Sequence, residues 1–216
     1  MTRLLVATRN RGKQAEFQLL LAPLPFDIVF PQDIGLAESS EELALEAFDT
    51  LLANARAKSH WFAITSGLRA LADDSGLEVD VLGGAPGVHS KRFAGVVGRE
   101  QAVAAANNAE LLARLAGMPD ERRTARFRCV LAMSVPGPVH GIHADIIVSG
   151  TTEGRITGEP RGDRGFGYDP LFFSPELGMT FGEADVVAKQ AVSHRGRAVG
   201  ALAAALRDAA AAAGRE

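Results

Sequence analysis

LLVATRNRGK, residues 4–13, is the stretch on which the fold turns. Leu4 to Thr8 is apolar on both faces, the pattern of a buried strand with a neighbour on each side. From Gly12 the period changes. Phe17, Leu20, Leu21 and Leu24 follow the stripe of an amphipathic helix that stops near Pro23 and Pro25. A strand feeding directly into a helix places unpaired N–H groups, at the positive helix end, on the carboxyl edge of a sheet. That is a place for an anion. Gly12-Lys13 invites comparison with a phosphate-wrapping P-loop, but Ala7 stands where its first glycine belongs and Gln14 follows the lysine instead of Ser or Thr. A P-loop is excluded. Another kind of anion site remains: Thr8 and Asn10 add short polar side chains, Gly12 admits close backbone approach, and Lys13 supplies a mobile cation.

Working outward, FDIVF (26–30) gives a second strand. The polar segment GLAESSEE (35–42) leads into one predicted helix from Glu41 to Phe62, burying Leu43, Ala47, Leu51 and Ala55. LRALADDSGLEVDVLGG (68–84) reads as strand, acidic turn, strand, with Leu77, Val79 and Val81 alternating with Glu78 and Asp80. A helix over 99–117 stops at Gly117, with Pro119 beyond. ARFRCVLAMSV (125–135) and GIHADIIVSGTTEGRI (141–156) are the long strands of an antiparallel pair, and EPRGDRGFGYDP (159–170) is a glycine-rich loop. Ser193 N-caps a final helix that buries Val199, Leu202 and Leu206. The tail DAAAAAGRE (208–216) is helical by propensity and frays at its end. The fold class is α/β with a mixed β-sheet flanked by helices, in a single domain over 1–216 with no separate linker.

Composition narrows the partners. A net charge of −3 argues against coating nucleic acid but permits a local pocket for a small anion. The single Cys129 lies in an apolar run and reads as a buried small hydrophobe. No stretch reaches the ~18 apolar residues of a membrane helix. The chain enters a strand without a signal-peptide pattern, so a cytoplasmic protein is expected.

Chemistry concentrates in four further places. In ADDSG (72–76) two adjacent carboxylates are costly without a cation, and a regular strand would point Asp73 and Asp74 to opposite faces. One of them would bind a metal or act as a base while the other holds a turn. Glu46, Thr50, Asn54 and Lys58 recur every fourth residue, a slanting polar stripe if the helix is continuous. On such a helix Glu46 and Lys58 stand about 18 Å apart, too far to touch one ion. RGFGYDP (164–170) suits a loop that lays an aromatic face against a planar base, and KQAVSHRG (189–196) offers donors from Lys189, His194 and Arg195. His60, His89, His140 and His143 show no metal-ligand spacing, and Trp61 reads as core or interface.

Together TRNRGK, ADDSGLEVDVLGGAPGV, ARFRCV, GFGYDP and the Lys189–SHRG segment resemble, in order, the inosine/xanthosine triphosphate pyrophosphatase family, the house-cleaning hydrolases of non-canonical purine nucleotides. The resemblance runs from residue 8 to about 200 and implies an elongated, twisted sheet, two lobes with the active site in the cleft between them, and a homodimer. It implies Mg²⁺-dependent cleavage of ITP, dITP or XTP to the monophosphate and pyrophosphate. On the family's pattern Asp74 is proton acceptor and metal ligand, with Glu46 as the second ligand and Glu41 or Glu42 as alternatives. Thr8, Arg9, Asn10, Arg11, Gly12 and Lys13 would hold the phosphates, with Asn54 and Lys58 beside them and Ser75 touching substrate. Phe166, Gly167, Tyr168, Asp169, Lys189, His194 and Arg195 would surround base and sugar. The helix EAFDTLLANARAK keeps the family's spacing but not its usual residues, and the part of Asp73 is left open. Two rival readings fit the sequence less well. A pyrophosphatase of the septum-inhibitor fold lacks the SHRG helix and GFGYDP loop, and a regulator that only binds nucleotide has little need of the Asp73–Asp74 pair.

Overall fold

In a computed structural model, β1 (Thr2–Val6) pairs in parallel with β2 (Phe26–Val29) on one side and β3 (Arg69–Val79) on the other. The structure describes residues 1–138 and 141–213; Val139, His140, residues 214–216 and the side chains of Leu43 and Ala213 lie outside the described residues. β4 (Thr124–Pro136), β5 (Ile142–Ile156), β6 (Phe172–Ser174) and β7 (Met179–Thr180) complete a seven-stranded sheet of order β2-β1-β3-β4-β5-β6-β7. The β5–β6 and β6–β7 pairings are antiparallel, so the sheet is mixed, as the sequence indicated.

Contacts divide the chain into two compact units. The first comprises Met1–Asp74, Cys129–Gly150 and Gly196–Glu216; the second comprises Ser75–Arg128 and Thr151–Arg195. Strands β3, β4 and β5 each contribute residues to both.

In the first unit the central runs of β1, β3 and β4 are buried on both faces, which is why their apolar residues hardly alternate. Leu4, Val6 and Leu71 pack with Phe17 of helix α1 (Arg11–Leu20), with Leu21 at its C-cap, and with Ala198, Val199 and Leu202 from helix α5 (His194–Ala213). Leu5, Ala7, Ala70 and Ala72 pack against Phe62 and Ala63 of helix α3 (Leu51–Ser66). Period-two alternation therefore gives β3 an α1 face and an α3 face. His60 is a structural residue: its Nε2 lies 2.6 Å from Asp145 on β5, whose other oxygen accepts from Ser134 Oγ at 2.7 Å.

The second unit centres on Leu77 and Val79 of β3, Phe127 of β4, Phe172 of β6 and Phe181, with Leu111 from helix α4 (Glu100–Arg114) and Leu115 at its C-cap. Gly76 is required here, because a Cβ would sit 2.4 Å from the carbonyl oxygen of Gly87.

Two expectations fail. ADDSG is no turn: β3 runs unbroken from Arg69 to Val79, because burial on both faces favours an extended central strand over a solvated loop. Nor is there one helix from Glu41 to Phe62. Helix α2 (Ser40–Ala44) ends, residues 45–50 form a loop that exposes Ala47, and α3 starts at Leu51. Thr50 is the N-cap of α3, its hydroxyl accepting from the Ala53 N–H at 3.1 Å, and Asn54 Oδ1 accepts from the Phe48 N–H at 3.0 Å. Asp49-Thr50 ahead of Leu51-Leu52 carries that cap signature, but the four-residue polar stripe masked it.

Candidate active site

The first cluster lies within the first unit, where β1 ends and α1 begins. Asn10 is the N-cap of α1, its Oδ1 accepting from the Lys13 N–H at 2.8 Å, while the Asn10 N–H donates to Thr8 Oγ1 at 3.3 Å. The short polar residues of TRNRGK thus shape the turn, and α1 begins directly after it at Arg11. Arg9 grips Glu42 through two nitrogens at 2.7–3.0 Å and also donates to the Leu36 carbonyl at 3.1 Å. Glu42 is therefore committed to an arginine fork. Glu41 is solvent-exposed and bound to Ser39. Of the three glutamates, Glu46 is the one that meets the rest of the cluster.

Strand alternation now separates the two aspartates. Asp73, on the α1 face, meets Lys13 Nζ at 2.9 Å. Asp74, on the α3 face, accepts from Asn54 Nδ2 at 2.9 Å and lies 3.6 Å from Lys58 Nζ. Lys58 Nζ also donates to Glu46 Oε1 at 3.0 Å and to the backbone carbonyl of Asp73 at 2.6 Å. The contact with Glu46 exists only because the helix breaks. The loop folds Glu46 back towards an ammonium that a continuous helix would have kept far away.

Charges in this cluster are not symmetrically stabilised. Burial opposes the Lys58 ammonium, but Glu46, Asp74 and Asp73 overcome it and raise Lys58 above the ordinary lysine value. Asp74 moves the other way for a carboxyl group. Burial raises it above the usual carboxylate range, and the cations Lys58 and Lys13 and the Asn54 hydrogen bond only partly offset that. The two ends of this pair differ because Lys58 is surrounded by three carboxylates, whereas Asp74 also feels the like charge of Asp73.

Asp74 and Glu46 present hard oxygens that converge on one cationic point, Lys58 Nζ. Such a donor pair suits Mg²⁺, which is typically bound by one or two carboxylates plus substrate phosphates and water. Among the described residues no three His, Cys, Asp or Glu side chains gather as a metal cage, so further oxygens would come from the ligand or solvent.

The second cluster lies within the second unit. Asp169 is nearly inaccessible; its Oδ2 accepts from the Phe166 N–H at 2.7 Å and from Lys189 Nζ at 2.6 Å. Gly165, at φ 75°, allows this closure: a Cβ there would lie 2.1 Å from the same carboxylate oxygen. The half-buried Phe166 ring has Lys189 Nζ 5.0 Å and Arg195 Cζ 5.8 Å from its centroid. Arg195, 2% exposed, donates to Ser75 Oγ at 3.2 Å, and the His194 ring stacks on Phe127 at 4.7 Å.

Not every expected contact residue presents itself to a ligand in the same way. The structure brings Ser75, Phe166, Asp169, Lys189 and Arg195 together. Tyr168 belongs to the core: its hydroxyl donates to the Ser90 carbonyl at 2.9 Å, and burial pushes its pKa upward. Gly167 offers its carbonyl to Asn108 Nδ2 at 3.1 Å. Asn108 and Ser90 went unrecognised in the sequence, since nothing in their local pattern announces partners 59 and 78 residues away.

A profile of the Ham1 family matches residues 4–205. The chain is 47% identical over 204 residues to the dITP/XTP pyrophosphatase of Exiguobacterium sibiricum, covering 94% of this chain and 96% of that protein. It is likewise 47% identical over 202 residues to the dITP/XTP pyrophosphatase of Geobacter sulfurreducens, covering 94% and 95%. Among solved structures, a HAM1 protein from Coxiella burnetii superposes with a TM-score of 0.79 at 36% identity, covering 96% of this chain and all of that one. A dITP/XTP pyrophosphatase from Mycobacterium abscessus gives 0.68 at 38% identity, covering 93% and 97%.

Proposed function

The chain belongs to the Ham1 family, and from that premise we propose that it is a pyrophosphatase that hydrolyses the non-canonical purine nucleoside triphosphates ITP, dITP and XTP to monophosphate and pyrophosphate. Removing these nucleotides keeps their bases out of DNA and RNA. The observation that carries the chemistry is the raised, buried Asp74 carboxyl set against Lys58 and Asn54.

Asp74 serves as proton acceptor for the attacking water and, with Glu46, as a ligand of Mg²⁺. The ion supplies charge neutralisation on the triphosphate and a more acidic water. Asp74 must be ionised for either part. Lys13 and the N-terminus of α1 stabilise charge developing on the phosphates, with Thr8, Arg9, Asn10, Arg11 and Gly12 shaping that end. Arg9 acts through its fork with Glu42. Asn54 orients Asp74, and Lys58 holds Glu46 and Asp74 close enough to share a cation.

The second cluster takes the base and sugar. Phe166 offers its ring face, and Arg195, His194 and Lys189 offer donors to keto oxygens. Adenine, whose 6-amino group is itself a donor, is disfavoured. The enzyme works in the cytoplasm as a homodimer.

The test is pyrophosphate release from ITP, XTP, dITP, GTP and ATP, each with and without Mg²⁺. Fast Mg²⁺-dependent release from the first three is expected. Equal release from all five would sink the base assignment, and release from none would leave a binding module.

A further inference from the structure

We infer that Asp73 is the positioning residue for Lys13, and that it sets where the phosphate-facing cation stands during the reaction. The inference rests on the pyrophosphatase reading and adds a part for the one carboxylate in ADDSG that the mechanism leaves unused.

Asp73 is the most deeply placed acid of its cluster, with a side chain 1% exposed against 12% for Asp74 and 31% for Glu46. A carboxylate buried that far is costly unless a cation meets it. Lys13 meets it at 2.9 Å, reaching over from α1 with its side chain still 19% exposed. One end of the pair is therefore fixed in the protein while the other borders solvent, where a phosphate can arrive. Lysine is a point charge on a four-carbon stem and would otherwise spread over many rotamers. Asp73 removes that freedom in advance, the kind of preorganisation that favours a transition state over a loosely bound ground state.

The geometry also separates this part from every other in the cluster. Asp73 touches Lys58 through its backbone carbonyl, at 2.6 Å, and Lys13 through its side chain. A side-chain substitution therefore releases Lys13 while leaving the backbone grip on Lys58. It also removes a like charge from Asp74, on the opposite side of the strand, which favours the ionised Asp74 and so does not account for a loss of kcat. Adjacent aspartates in a regular strand are two posts for two helices: Asp73 for α1 and Asp74 for α3.

The experiment compares wild type, Asp73→Asn, Lys13→Ala and the double variant. Asp73→Asn keeps the side-chain shape and removes the charge. Its kcat for ITP is expected to fall by on the order of 10²-fold, with KM changed by less than about threefold. Lys13→Ala is expected to cost far less in the Asp73→Asn background than in wild type, because the two residues act as one unit. Lys13 acylation by acetic anhydride, read by peptide mass spectrometry, is expected to be several-fold faster in Asp73→Asn than in wild type. This readout does not depend on turnover. An Asp73→Asn enzyme with wild-type kcat and merely a lower Tm would overturn the inference. So would fully additive losses in the double variant, or equal Lys13 acylation in both proteins. A wild-type protein that releases no pyrophosphate, yet shows the acylation contrast, would instead defeat the functional reading and leave the Asp73–Lys13 coupling standing.

Discussion

The two clusters answer the problem of buried charge in opposite ways. In the first, the carboxylates of Glu46, Asp73 and Asp74 are set against the two ammoniums of Lys13 and Lys58. In the second, Lys189 pairs with the carboxylate of Asp169 and, with Arg195, flanks the Phe166 ring. Among these side chains the first cluster is short of positive charge and the second has it to spare. A site of the first kind completes itself with a cation, or by leaving one carboxyl protonated; burial, with the like charge of Asp73 added, raises Asp74 in that direction. A site of the second kind turns donors towards electron-rich groups such as purine keto oxygens. The first is built for charge and the second for shape and donor direction.

That contrast breaks first at Asp74. Asp74→Asn is expected to reduce kcat by on the order of 10³-fold, the loss of a general base. The same change should raise Tm at neutral pH. Because the folded carboxyl is raised, the unfolded chain ionises at lower pH than the folded one, so wild-type stability falls as pH climbs from the ordinary carboxylate value through the raised one. Thermal melts against pH check this: variant and wild type should converge in acid and separate above that window. Wild type remaining the more stable protein at neutral pH would show that Asp74 is adequately neutralised.

At the second cluster the largest effect belongs to its ion pair. Lys189→Met leaves Asp169 charged and buried, and should cost about 3–5 kcal/mol in urea unfolding. A change below ~1 kcal/mol would mean that the Phe166 N–H alone satisfies the carboxylate. Phe166→Ala removes the aromatic face. It should cost about 1–3 kcal/mol in kcat/KM, seen mainly as a raised KM, with folding stability nearly untouched. A loss confined to kcat would place the ring against reacting atoms instead of the base. Tyr168→Phe is the smallest. Removing a hydroxyl bonded to the Ser90 carbonyl should cost about 1 kcal/mol of stability and leave the preference among ITP, XTP and GTP unchanged. An altered preference would put the hydroxyl in the base site after all.

The legibility of the sequence followed the range of the interaction. The buried strand at Leu4–Val6, the amphipathic α1 and the glycine-rich loop were readable because each is written in neighbouring residues with a period of two or 3.6, or in a turn dipeptide. The ADDSG strand was misread as a turn, because local composition favours a turn and only burial on both faces overrides it. The break before α3 was missed for a related reason. The cap at Thr50 was in the letters, but the polar stripe from Glu46 to Lys58 imitated one continuous helix.

What the sequence by itself determined is the α/β class, the order of its motifs and the residue types that hydrolysis of a nucleoside triphosphate requires. What only the tertiary structure decided is which charge answers which. Lys13 goes to Asp73, Glu42 to Arg9, Glu46 to Lys58 and Lys189 to Asp169. Those pairings span 12 to 60 positions. Coulomb attraction depends on distance in space and on burial, and neither is encoded in a spacing along the chain until the strands and helices have packed.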